Sequence, residues 1–176
     1  MSLFKRLFGG SQKIPQGDLV PFLAGLVRPL QVGATQQINS AVRHLPDSGS
    51  QGRFMFLLLH VCLAAILHKL QAAKSLPDGF PSAFKDFAIA QWDRPSSMSL
   101  DGYRKMFAYT QSELGVTLVN PSSEQVSEVG ILMLSIASPN QSGFTFAEAD
   151  ACGRCAQACW SQAGVETDKV LKNHSE

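Results

Sequence analysis

Phe54-Met-Phe-Leu-Leu-Leu-His-Val-Cys-Leu-Ala-Ala-Ile-Leu67 is the most apolar run in the chain. It covers about 14 residues, whereas a membrane-crossing helix needs about 20. It is internal and it contains His60. Apolar side chains occur nearly all round it, so a helix over 53–74 has to be covered by other elements on most sides. The expected fold is therefore all-α. A single domain of about six or seven helices packs around the central 53–74 helix, as an orthogonal or an up-down bundle.

The rest of the composition agrees with a globular chain. Of 176 residues, 45% are hydrophobic and 16% charged. The apolar share is ordinary and the charge is low. A chain of this length buries a sizeable core without disulfides or a structural metal. The net charge is +1, and no run of Lys and Arg occurs. That excludes a nucleic-acid binder of the usual electrostatic kind. Low surface charge also suggests that a protein partner, or a second copy in a homodimer, covers part of the surface.

Outward from the central run, the chain divides into an N-terminal amphipathic segment and linker (1–16), a helical domain (17–164) and a polar C-terminal tail (165–176). In Met1-Ser-Leu-Phe-Lys-Arg-Leu-Phe-Gly-Gly10, Leu3, Phe4, Leu7 and Phe8 share one side of two helical turns. Docking on the domain explains that side better than membrane contact, because one short helix with two basic residues binds lipid weakly. The segment lacks the apolar core of a secretory signal. The expected location is cytoplasmic, with reduced cysteines.

Helix signals punctuate the domain. Asp18 is placed to cap a helix with Pro21 in its first turn, and Pro29 interrupts the pattern that follows. Ile38, Ala41, Val42 and Leu45 mark a helix within 30–45. Pro46–Gly52 reads as a loop and Leu76–Pro81 as a turn. Helices are expected over 82–92 and 100–114, the latter ended by Gly115. Val116–Val119 is β-branched and reads as extended. Ser122 and Gln125 form a capping box, and so do Thr145 and Glu148. The run 129–137 fits either a helix or a buried strand, and its apolar spacing favours a helix. The final helix starts at the second box and stops near Gly164.

That second box places Ala151-Cys-Gly-Arg-Cys-Ala-Gln-Ala-Cys-Trp160 inside a helix. Three of the four cysteines of the chain lie here. Cys152, Cys155 and Cys159 fall within an arc of roughly 60°, but Cys152 and Cys159 are about 10 Å apart along the axis. Two thiolates on one zinc, each at about 2.3 Å, cannot be so far apart. One helix thus offers two of the three thiols to an ion, and any further ligand comes from another helix. Cys62 and His60 on the central helix are the candidates. With Ala149, Ala156 and Ala163 nearby, the same stripe also reads as a small-residue packing face. The Cys152–Cys155 step matches redox dithiols, which usually sit at a helix N-terminus.

The CxxC and CxxxC steps resemble one piece of the cysteine-rich four-helix-bundle copper-storage proteins, over about eight residues. Those proteins line a whole core with cysteine, and this chain has four. The resemblance implies a transition metal, such as copper or zinc, as an alternative to no cofactor at all. Bacterial ferredoxins use similar steps in loops, with a fourth cysteine nearby that is missing here.

No HExxH, P-loop, dinucleotide or nucleophile-elbow pattern occurs, and no carboxylate pair stands out as acid and base. Trp92, Tyr103, Phe107 and Trp160 are candidates to line an apolar pocket, and at helical spacing they also suit the core. The functional expectation is a non-enzymatic intracellular helical binding or regulatory protein working through protein–protein contacts. The alternatives are a thiol-based metal-binding or redox-sensing protein using the 152–159 cluster, and an apolar-ligand or lipid-binding protein.

Overall fold

The structure, a computed structural model, describes residues 16–25, 35–91, 100–141 and 143–175. The amphipathic segment with Leu3, Phe4, Leu7 and Phe8, the break at Pro29 and the ring of Trp92 lie outside these residues. So do the side chains of Tyr103 and Phe107.

Helices are α1 (Gln16–Gly25), α2 (Thr35–Val42), α3 (Ser48–Ala72), α4 (Phe80–Gln91), α5 (Leu100–Tyr109), α6 (Ser123–Ala137) and α7 (Phe146–Ser175). No strand occurs among the described residues. The fold is all-α, and the 129–137 run is helical within α6. Here α3 is the hub: it packs against α4, α6 and α7. In turn α7 also covers α6 and α2, while α1 lies against α4. By length and composition α3 could cross a membrane, yet 67% of its most apolar window is buried by the other elements. Phe54, Leu58, Val61, Cys62, Leu63 and Ile66 are fully buried.

Both capping boxes form. Ser122 N donates to Gln125 Oε1 at 2.9 Å, and Gln125 N donates to Ser122 Oγ at 3.2 Å. Thr145 N donates to Glu148 Oε2 at 2.6 Å, and Glu148 N donates to Thr145 Oγ1 at 3.3 Å. Each box satisfies N–H groups that a helix start leaves without partners.

Several boundaries differ from expectation, among them the start of α4 at Phe80, inside the expected turn 76–81. The central helix starts at Ser48, inside the expected loop 46–52, because Asp47 caps it: Ser50 N donates to Asp47 Oδ1 at 2.7 Å. Asp18 lies in the first turn of α1 rather than ahead of it. Val116–Leu118 is helical, not extended; α5 continues through a π-helical segment, Thr110–Gly115, into this last short turn. Here burial of Leu114 and Leu118 overrides the β-preference of the valines. Finally, α7 runs through Gly164 to Ser175, so residues 165–175 are helix and not a loose tail. The extension is held by buried Glu166, Thr167 and Val170. Thr167 Oγ1 donates to Ala163 O at 2.7 Å, and Lys169 pairs with Glu166 at 2.7 Å.

The closest packing is between α6 and α7. A Cβ on Gly130 would overlap the carbonyl oxygen of Ala149, and a Cβ on Gly153 would overlap that of Val126. The two backbones touch because neither position carries a side chain.

Candidate functional site

All four cysteines are free thiols and fully buried. Residues Cys152, Cys155 and Cys159 point from α7 toward the core, and α3 brings Cys62 to them. Cys62 Sγ lies 4.0 Å from Cys159 O. The thiols of Cys62 and Cys155 both hydrogen-bond to Cys159. These bonds, followed by burial, hold Cys62 and Cys155 well above the usual thiol range. Cys159 is the member of the trio held low, by the side chains of Cys155 and then Cys62. Cys152 stands to one side, pushed up to about 12 by burial and then by the Glu148 carboxylate.

The trio comprises two thiols of one helix and one from another. His60 is turned to a different task. Its Nδ1–H donates to the Phe56 carbonyl at 2.6 Å, and its ring meets Phe56 edge-on with centroids 4.5 Å apart. Burial lowers its pKa to about 4, against the opposing effect of the Phe56 bond. Among the described residues, no group of three or more His, Cys, Asp or Glu side chains is arranged to hold a metal ion. Cys62, Cys152 and Cys155, buried with raised pKa, are poor nucleophiles, and the stripe packs as small apolar side chains.

A second place is open to solvent. Ala64, His68 and Gln71 of α3, Gln111 and Gly115 of the π segment, Val119 and Trp160 of α7 enclose a cleft of about 340 Å³. Trp160 forms its floor and is 8% exposed. The His68 ring lies over it, centroids 5.8 Å apart and planes tilted by 42°. Gly115 lets the indole close in: a Cβ there would sit 3.3 Å from Trp160 Cη2. Val119, at the rim, is 41% exposed, and Tyr109, just before the π segment, is 42% exposed. π-turns inside helices recur at functional sites, where the extra residue re-aims side chains.

Of this cleft, sequence reasoning singled out only Trp160. His68, Gln111 and Val119 carry no motif, and the π segment has no sequence signature. Gly115 was visible as a helix stop, but its use as the bed for an indole was not.

The fold and its two sites define a helical bundle with a thiol-lined interior and one tryptophan-floored cleft. Comparison with protein-family models, with curated proteins and with solved structures gives no match to the chain.

Proposed function

We propose that this chain is a non-enzymatic, intracellular helical binding protein that acts through contact with a protein partner, and that the Trp160 cleft seats an apolar side chain of that partner. The carrying observation is an open, mostly apolar cleft beside an exposed Val119. Size favours this reading over a lipid pocket. About 340 Å³ is at the bottom of the range for small-molecule sites, which suits one inserted side chain rather than an acyl chain. Gln71, Gln111 and His68 supply the polar rim that such interfaces carry.

Photo-crosslinking tests it. A crosslinking amino acid replaces Val119 in one protein and the exposed Ser135 of α6 in another. The expected result is one discrete adduct from position 119 alone, competed away by unlabelled wild type but not by Gln111→Trp, which obstructs the cleft. Equal adducts at both positions, or equal competition by both proteins, would overturn it. Light scattering on the purified chain shows whether the partner is a second copy.

A second reading, a thiol-based metal or redox protein, has one observation in its favour: α3 supplies Cys62 to Cys155 and Cys159. Elemental analysis with thiol titration on anaerobically purified protein separates the two. Stoichiometric copper or zinc supports the thiol reading. Metal-free protein with four inert thiols removes it.

A further inference from the structure

The start of α3 and the end of α6 meet at a cavity of about 280 Å³ that shares no lining residue with the Trp160 cleft. Arg53 joins its two walls. Its Nε donates to Ala137 O, at the C-terminus of α6, at 2.6 Å. One terminal nitrogen donates to Ser50 Oγ at 3.1 Å. Ser50 in turn donates to Asp47 Oδ2 at 3.2 Å. A guanidinium has five N–H donors, so it keeps capacity beyond these two bonds.

The opposite wall holds polar atoms without partners. Ser138 is only 3% exposed, and its Oγ has no hydrogen-bond partner. Gln141 Oε1 is also buried and without one. Buried polar atoms are nearly always paired. Both residues line the cavity together with Arg53 and Asp47, and the two orphans call for a guest with its own donors and acceptors.

The charges narrow the guest. Arg53 and the Ser138 hydroxyl ask for an acceptor, best a carboxylate, since guanidinium and carboxylate match in shape. The positive end of the α3 dipole adds to that preference. Gln141 Oε1 and the Asp47 carboxylate ask for a donor, best a cation. A simple anion would leave Gln141 unmet and face Asp47; a simple cation would face Arg53. We propose that this cavity binds a free α-amino acid as a zwitterion, its carboxylate on Arg53 and Ser138 and its ammonium on Gln141 and Asp47. The volume admits one such molecule and is too small for a nucleotide or a lipid.

The test is calorimetric titration of the full chain with each of the common α-amino acids, and with acetate and methylammonium as half-ligands. At least one amino acid should bind with one-to-one stoichiometry, and neither half-ligand should match it. Ser138→Ala should weaken that binding by about tenfold or more, as should Gln141→Leu. Neither variant removes a hydrogen bond present in the free protein, so unchanged thermal unfolding certifies the fold. Arg53→Lys keeps the charge but loses the fork, and should also weaken binding. Absence of binding by every amino acid overturns the proposal. So does acetate binding as tightly as the zwitterion, or undiminished binding by folded Ser138→Ala. None of these results bears on the Trp160 cleft.

Discussion

Gly130 and Gly153 lie where α6 and α7 cross, each facing a backbone carbonyl of the other helix, Ala149 for Gly130 and Val126 for Gly153. Neither position tolerates a Cβ without moving a helix. Gly153→Ala should therefore cost about 3 kcal/mol or more in urea unfolding, the scale of core overpacking. Gly52, on the exposed side of α3, has open space around it. Gly52→Ala should instead stabilise by about 0.5–1 kcal/mol, because alanine favours the helix. Opposite signs from the same chemical change would locate the crossing.

His60 predicts a pH dependence. Its folded pKa is about 4 against an ordinary 6.5. Between these values the unfolded chain takes up a proton that the folded chain refuses. Stability from this source is fully present above about pH 6.5, falls as the pH drops through the window and levels off near pH 4. The total is roughly 3 kcal/mol. Unfolding free energies measured from pH 7.5 to 4 should show this slope for wild type, and His60→Leu should flatten it. An equal slope in both proteins would assign the effect to other groups.

The thiols should resist modification while the chain is folded. All four are fully buried. Iodoacetamide at pH 8 should label none of them in native protein, and all four after denaturation, as read by intact-mass spectrometry. Labelling of Cys152 first would place the opening near the α6–α7 crossing, where the neighbouring Gly153 meets Val126.

Residues beyond Gly164 should matter for stability. Val170 is 1% exposed. Val170→Ala should lower stability by about 2 kcal/mol, measured by thermal unfolding. The exposed pair Lys69–Asp168, 2.7 Å apart, links the same stretch to α3. Its loss in Asp168→Asn should change stability by less than about 1 kcal/mol. A loosely held tail would leave all of these unaltered.

Much of the frame could be read from local chemistry. The 54–67 run announced a buried helix, and each capping box marked a start correctly because hydroxyl and amide or carboxylate partners lie only three residues apart. The cysteine stripe was legible for a similar reason, since helical rise alone limits which thiols can meet. What escaped were choices made by distant contacts. Gly164 reads as a helix stop until the buried Val170 is known. Asp47 sits in a stretch rich in turn residues, and only the weight of α3 behind it makes it a cap. The π segment arises where α5 must keep Leu114 and Leu118 in the core while Gly115 receives Trp160. Arg53 and Ser138 are 85 positions apart in chain order, and no spacing rule connects them.

The placement of α7 also sets an order of events during synthesis. It covers α2 and α3, which are made about a hundred residues earlier. A ribosome therefore completes the most apolar helix of the chain well before its cover exists. For that interval Phe54–Leu67 has only partial shelter, which is the condition that recruits chaperones and invites aggregation. Slower translation ahead of residue 146 should lengthen this exposure, so yield in the cell depends on tempo as well as on the stability of the finished bundle.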